Sequence, residues 1–311
     1  MDIRSGGCNH EGMDATAPAA RRTNLREPAP ADVATRLPPH AFFVVSAVFH
    51  YLGPSFAVLL MSRVGVLGVA WLRIASAAAV FAMWRRPWRM IRHVAPAERI
   101  TIVALGVVLA AMNSVFYEAI DRLPLGTVGA IEFLGPIALA AAGIRTGRNI
   151  AALALAVAGV CVLTDVRIAA QPLGYLFAFA NCALFVLYVV LGHRIAAAGG
   201  TAGVDRLGAA MLVAAIAALP IGIRQAVPAF ANPLLLGAAI GVGISSSVIP
   251  YVCDQLAMAR LPRATFALML SLLPATATIV GIIVLRQLPT AAELGGVALV
   301  VAGVAVHKAP A

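Results

Sequence analysis

Long apolar stretches separated by short polar breaks make up this chain from His40 onward. Ten stretches can be distinguished, and each has about the 17–25 residues that a helix needs to cross the hydrocarbon core of a bilayer. None shows the alternation of a β-barrel strand, and backbone polar groups in lipid must be bonded internally. The pattern therefore predicts an all-α membrane protein with ten transmembrane helices, at residues 41–61, 66–84, 100–120, 125–144, 149–165, 173–192, 207–223, 232–252, 264–285 and 291–307.

Residues 1–39 follow a different pattern, because Arg, Asp, Glu, Pro and Ala are mixed there without periodicity. Such a segment cannot bury enough apolar surface to fold, so we expect a disordered cytoplasmic tail. It lacks the apolar core and cleavage site that mark a secretory signal peptide. We therefore expect the first span itself to direct insertion.

The composition argues against a soluble protein. Hydrophobic residues make up 61% and charged residues 12% of the 311 positions, against about 45–50% and about 25% in soluble domains. The net charge of +10 would suggest nucleic-acid binding in a soluble chain. Here most arginines lie in short runs beside the apolar stretches, so they indicate contact with the lipid bilayer and no nucleic-acid partner.

The positions of these basic residues predict the orientation of the spans. Sixteen Arg and Lys residues lie near span ends on the side of the N-terminus, and five lie on the opposite side. Cytoplasmic loops of membrane proteins carry the excess of positive charge. Both termini are therefore predicted to be cytoplasmic.

The sequence also contains an internal repeat. Arg-Leu-Pro occurs at 122–124 and at 260–262, and a second proline follows twelve residues later in each case, at Pro136 and Pro274. Val-Ala-Gly-Val occurs at 157–160 and at 301–304. We predict two repeats of five helices, residues 40–166 and 172–307. An odd number of spans inverts the second repeat relative to the first, as in many secondary transporters.

Prolines in corresponding spans of two repeats are a sequence indicator of a transporter's binding site. Pro54, Pro136, Pro250 and Pro274 lie inside predicted spans. Each lacks the amide that would bond the carbonyl four residues back, so each is a predicted helix break with a free acceptor. For Pro250 that acceptor is the carbonyl of Ser246. The alternative is that these prolines only kink helices to improve packing.

Glu132 is the principal candidate for chemistry. It lies roughly 10 Å into the fourth span, at about 1.5 Å per residue. A carboxylate at that depth costs several kcal/mol unless it faces a wet cavity or takes a proton, which suits a proton-coupled carrier. The alternative is a structural ion pair with Arg73, the only basic residue deep in a span. A vestibule reaching Glu132 would favour transport, whereas dry packing on all sides would argue against it.

Other polar residues within the spans are weaker candidates for binding substrate or protons. They are His50, Asn113, Tyr117 and Asp254, with Asn181 and Tyr251 as further polar side chains. The chain has no P-loop, nucleophile elbow or His-rich metal spacing. We therefore expect no catalytic residue, no cofactor and no metal site.

Several of these motifs together resemble the EamA-type carriers of the drug/metabolite transporter superfamily. The most specific match is Ala-Ile-Glu-Phe-Leu-Gly-Pro at 130–136, which follows Pro-Leu-Gly at 124–126. Leu-Arg at 72–73, Pro-Trp-Arg at 87–89 and the Arg-Leu-Pro of 260–262 are similar too. The likeness covers about residues 40–307 and is strongest to the bacterial threonine/homoserine exporters.

The resemblance implies a secondary carrier of the bacterial inner membrane that exports a small polar metabolite through a cavity between its halves. An amino acid such as threonine or homoserine would be the typical cargo, and we expect proton coupling and alternating access. Related sequences often carry a glutamate before the ninth-span proline, where this chain has Leu273, so the cargo can differ. A drug, a nucleoside, an imported solute and a scaffold without transport stay open as alternatives, and a homodimer is one option for assembly.

Overall fold

The computed structural model describes residues 37–143, 146–165, 171–197, 202–262, 266 and 273–306. All the regular elements within these ranges are helical. They are α1 (Pro39–Val64), α2 (Val66–Arg85), α3 (Trp88–Ile91), α4 (Pro96–Ile120), α5 (Leu125–Gly143), α6 (Gly147–Asp165), α7 (Pro172–Ala196), α8 (Ala202–Phe230), α9 (Pro233–Gly243), a π-helical segment π1 (Ile244–Val248), α10 (Ile249–Met258), α11 (Leu273–Leu285) and α12 (Ala291–Val306).

Six of these helices are long and apolar enough to cross a membrane, which confirms the prediction of an all-α membrane protein. They are α1, α2, α4, α7, α8 and the continuous run from Pro233 to Met258. Shorter apolar helices lie at Leu125–Gly135, Gly147–Val162, Leu273–Leu285 and Ala291–Gly303, where the fourth, fifth, ninth and tenth spans were predicted. The predicted tail lies outside the described residues up to position 36.

Several helices extend beyond the predicted spans because their polar ends are held by ion pairs. Helix α8 starts at Ala202, five residues before its predicted span, and its first turns carry Asp205 and Arg206. Arg85 Nε lies 2.6 Å from an Asp205 carboxylate oxygen, and Arg206 pairs with Glu98. These contacts join α2, α4 and α8 at the end that the sequence predicts to be cytoplasmic.

The four prolines differ in what they do to their helices. Helix α1 continues through Pro54 and α5 continues through Pro136. A proline removes only one amide donor, and the turns on either side still close. Pro250 follows the π-helical segment directly. Pro274 is the second residue of α11 as described, and its carbonyl accepts from Thr278 Oγ1 at 3.0 Å.

The repeated Val-Ala-Gly-Val motif lies where α6 and α12 pack together. A β-carbon at Gly159 would lie 2.5 Å from the Gly296 carbonyl oxygen, and one at Gly303 would lie 2.6 Å from the Ala152 carbonyl oxygen. Each motif glycine thus allows the backbone of the other helix to approach closely. Small residues at helix interfaces serve this purpose in membranes, so packing accounts for this part of the repeat.

Candidate functional site

A small cavity lies among α1, α2, α4, α5, α7 and α10. The described residues that line it are His50, Arg73, Met112, Asn113, Phe116, Glu132, Asn181 and Tyr251. Its volume is about 10 Å³, which is room for about one water molecule. The cavity therefore brings together one carboxylic acid, one arginine, one histidine and several uncharged polar side chains in the apolar interior.

Glu132 is held by one donor from each of two helices. Its side chain is buried, and Tyr51 Oη of α1 donates to Oε2 at 2.9 Å while Asn181 Nδ2 of α7 donates to Oε1 at 3.0 Å. Gly129, one turn earlier on α5, makes room for this arrangement. A β-carbon there would lie 3.0 Å from Tyr51 Oη and 2.9 Å from Ala277 Cβ.

Arg73 is held from the opposite side by the π-helical segment. Its guanidinium donates to the Ser246 carbonyl at 2.5 Å through Nη2 and to Ser247 Oγ at 2.8 Å through Nε. The ring centroids of Tyr117 and Tyr251 lie 5.5 and 5.9 Å from its Cζ atom, within the range of cation–π attraction.

The Ser246 carbonyl is the acceptor that Pro250 leaves without a helical amide donor. The π-helical turn at Ile244–Val248 lies directly before that proline, and such turns often occur at functional sites. Here the freed acceptor bonds a buried arginine. The sequence thus pointed to a polar feature at Pro250 but gave no indication that its partner is Arg73.

The structural ion pair considered between Arg73 and Glu132 is wrong. Both side chains are buried, at 4% and 2% exposure, and both line the same cavity. In the part of the chain that the structure describes they form no ion pair, because each is bonded to uncharged partners. Opposite charges therefore lie in one cavity wall without neutralising each other by direct contact.

The structure places the remaining predicted site residues in two groups. His50 and Asn113 line the cavity, and Asn113 Nδ2 donates to the Leu109 carbonyl at 2.7 Å. Tyr117 packs its ring on Arg73 and is not among the described lining residues. Asp254 also lies outside the lining; it accepts from Ser46 Oγ at 2.5 Å and from Tyr188 Oη at 2.9 Å.

Two contacts of the site were missed by sequence reasoning. Tyr51 was not considered, although it is a polar side chain next to His50 within the first span. Asn181 is predictable from sequence as a side chain that bonds either a ligand or a neighbouring helix, but nothing in the sequence connects it with Glu132. Both depend on how α1 and α7 are rotated against α5, which a single sequence does not encode locally.

A larger cavity lies at the end of the molecule that is predicted to be external. Its volume is about 320 Å³, and it lies between the loop before α5 and the loop before α12, with Asp121, Arg122, Gln287 and Glu293 in its wall. Inward it ends at Thr127 and Thr278 and does not include Glu132. Among the described residues, the vestibule expected to reach Glu132 is therefore not seen, and Gly129 packs against Ala277 and Tyr51 near that acid.

Comparison with known proteins agrees with this architecture. Residues 172–307 match the EamA-like transporter family. The threonine/homoserine exporter RhtA of Escherichia coli (strain K12) is 32% identical over 253 residues, which cover 80% of this chain and 84% of the exporter. RhtA of Salmonella typhimurium (strain LT2) is 31% identical over 259 residues, with the same coverage.

A solved protein crystal structure supports the fold independently. It covers 86% of this chain and 96% of its own, with a TM-score of 0.54 and 18% sequence identity. At that identity only the fold can be compared. Together with the exporter relatives and the apolar helices, these matches show that the chain is a multi-pass membrane transporter of the EamA-like family, close to the RhtA threonine/homoserine exporters.

Proposed function

We propose that this protein is a secondary carrier that exports a small zwitterionic metabolite, with threonine and homoserine as the first candidates. The observation that carries the proposal is the pair of opposite charges in one cavity wall. Arg73 and Glu132 both line the cavity, and among the described residues each is bonded only to uncharged groups. An α-amino acid carries a carboxylate and an ammonium group on neighbouring atoms, so it can satisfy both.

The polar groups around each charge suggest the orientation of the solute. Glu132 would receive the ammonium, and Asn181 Oδ1 beside it is a buried acceptor that makes no hydrogen bond in the described part of the chain. Arg73 would receive the carboxylate through N–H groups at the edge of its planar guanidinium. The Asn113 amide and the Tyr251 hydroxyl, which lie on the same cavity, are then available to a hydroxylated side chain.

The rival cargo of a lipophilic cation is disfavoured by the same geometry. Such a solute would need an acid in an otherwise apolar cavity, and Glu132 alone would meet that need. The guanidinium of Arg73 lines this cavity as well and would repel a cation at short range. A solute that carries both signs of charge avoids this cost.

The transport cycle that we propose is alternating access. The cavity has room for about one water molecule, so an amino acid requires the surrounding helices to separate. Two inverted repeats of five spans, residues 40–166 and 172–307, would rock around the site and open it to one side at a time. In this proposal the chain lies in the bacterial inner membrane with both termini in the cytoplasm, and proton entry drives export.

Transport by the purified protein in liposomes tests this function. We expect wild-type protein to move labelled threonine and Glu132→Gln to lose that activity while remaining folded, because Gln keeps the shape without the charge. Glu118→Gln is the matched control, since Glu118 forms an ion pair with Arg122 outside the cavity. Absence of threonine and homoserine transport by wild-type protein would refute the proposed cargo.

Competition by analogues tests the zwitterion itself. Threonine analogues without the carboxylate or without the ammonium group should compete at least about tenfold less well, because each leaves one buried charge unpaired. If both analogues compete as well as threonine, the charge pair does not bind the solute.

A further inference from the structure

A second buried acid lies outside the solute cavity. Asp254 of α10 is 1% exposed and accepts from Ser46 Oγ of α1 at 2.5 Å and from Tyr188 Oη of α7 at 2.9 Å. It forms no ion pair with any residue that the structure describes. Tyr251, one turn earlier on α10, separates it from the cavity, and its ring centroid lies 5.4 Å from that of Tyr188.

The same two helices hold both acids. Helix α1 donates to Asp254 through Ser46 and to Glu132 through Tyr51. These two donors are five residues apart, which is about 7.5 Å along the helix axis. Helix α7 donates to Glu132 through Asn181 and to Asp254 through Tyr188, seven residues or about 10.5 Å apart. Because α1 and α7 each bond both acids, a change in the hydrogen bonds of one acid acts on the same two helices that hold the other.

The charges of this region do not balance. The described residues that are both buried and charged here are Arg73, Glu132 and Asp254, which sum to one negative charge when both acids are ionised. An uncompensated buried charge is strongly destabilising. A zwitterionic solute adds no net charge, so it cannot correct the balance, whereas one proton can.

The surroundings favour Asp254 over Glu132 as the place for that proton. Glu132 shares its cavity with Arg73 and is the acid available to a solute ammonium group. The titratable groups that face Asp254 are uncharged at neutral pH: Tyr188 from α7 and Tyr251 and Cys253 from α10. His50 lies one turn from Ser46 on α1 but faces the cavity, and His193 lies further along α7 against Phe266.

We propose that Asp254 binds the coupled proton, at a site separate from the one that binds the solute; this rests on the proposed export function. Protonation forms an O–H bond at a carboxylate oxygen that now accepts from Ser46 or Tyr188. That oxygen keeps a lone pair but loses its negative charge, so its contact with the hydroxyl weakens, or reverses with the hydroxyl as the acceptor. Binding a proton at Asp254 thus changes how α1 and α7 are held beside α10, and loss of the proton to the cytoplasm restores the contacts.

Separate measurements of exchange and of proton flux test this assignment. In liposomes without a pH gradient, Asp254→Asn should still exchange internal for external labelled threonine at a rate close to wild type. It should lose both the stimulation of threonine flux by a pH gradient and the proton flux that threonine evokes, read with a pH-sensitive dye. Glu132→Gln should lose exchange as well, because it removes a group that binds solute.

The outcomes separate this proposal from the proposed function. Threonine-driven proton flux that persists in Asp254→Asn overturns the proton site, and loss of exchange in well-folded Asp254→Asn protein does so too. Failure of wild-type protein to move either threonine or homoserine overturns the proposed cargo and, with it, the coupling role.

A second pair of variants keeps the test valid if Asp254→Asn does not fold. Ser46→Ala removes one donor that stabilises the ionised carboxylate, so the midpoint of the pH dependence of threonine flux should shift to higher pH. Ser55→Ala removes a hydroxyl from the same helix that bonds only the Tyr51 carbonyl, at 2.8 Å, and should leave the midpoint in place. Equal midpoints in both variants would contradict the proposal.

Discussion

Single side chains decide how the central acid is presented to a solute. Glu132 has no direct cationic partner among the residues that the structure describes, and its position depends on Tyr51 and Asn181, which bond one carboxylate oxygen each. The sequence identified Glu132 by its depth in the span, because a carboxylate in hydrocarbon needs a bonded partner, a water-filled cavity or a proton. Tyr51 gave no comparable signal, since a tyrosine within an apolar stretch is compatible with packing, an interfacial position or ligand contact.

Replacing Tyr51 with Phe removes one of these two donors and little else. We expect the protein to fold with a loss of about 1 kcal/mol of stability, the usual net value of one hydrogen bond. Threonine transport should fall well below wild type because the Glu132 carboxylate can rotate. Ser114→Ala, which removes another buried hydroxyl that bonds the Ala110 carbonyl at 2.8 Å, should transport normally. Equal transport by the two variants would show that Tyr51 does not position the acid.

At the scale of one element, the π-helical segment sets the geometry around Arg73. The extra residue in this turn lets both the Ser246 carbonyl and the Ser247 hydroxyl reach the guanidinium. Pro250 predicted an irregularity in this span, and in the structure the irregularity is a π turn directly before the proline. Local sequence could not predict the choice between a kink and a π turn, because both arise where one amide is missing.

Deleting Ser245 should convert the π turn into a regular α-helical turn. The turn then loses the extra residue that widens it, so the Ser246 carbonyl and the Ser247 hydroxyl no longer both reach Arg73. We expect threonine transport to be abolished. Ser245→Ala removes only a hydroxyl that bonds the Val242 carbonyl at 3.2 Å and should leave transport intact. A deletion variant that transports normally would exclude a role for the π turn.

The pair of α6 and α12 depends on close backbone contact, so its glycines should be intolerant of larger residues. Gly303→Val places side-chain atoms against the backbone of α6 and should cost about 1–3 kcal/mol, as overpacking does. A β-carbon at Gly295, on the same helix, meets nothing within 4 Å, so Gly295→Val is the matched control. Thermal unfolding in detergent, followed by size-exclusion chromatography, measures the difference. Similar midpoints for the two variants would rule out the packing role.

For the whole molecule, hydropathy predicted most of the fold because length and apolarity in lipid leave only helices. The polar ends were harder to predict, since Asp205 and Arg206 belong to α8 only because Arg85 and Glu98 approach from other helices. The short helix Trp88–Ile91 was missed for a related reason. It lies in a basic connecting loop, where hydropathy carries no signal for structure.

The predicted orientation can be tested with two exposed arginines. In a background without native cysteines, Arg224→Cys should react with a membrane-impermeant thiol reagent in intact cells. Arg92→Cys should react only after permeabilisation, because it lies in the basic loop predicted to be cytoplasmic. Each variant removes one arginine, so the two are matched in charge. The reverse pattern of labelling would invert the whole topology.

In the proposed export cycle, the bonding of Arg73 and Glu132 to uncharged groups of the chain has a consequence for the net flow of solute. Closing the cavity around these two side chains brings no unbonded charge into the apolar interior, because tyrosine, asparagine and serine groups already satisfy them. The empty carrier therefore does not need a bound solute as a counter-ion when it returns to the cytoplasmic side. Such a carrier can empty a cell into a medium that contains none of its cargo, whereas an obligate exchanger would stall there.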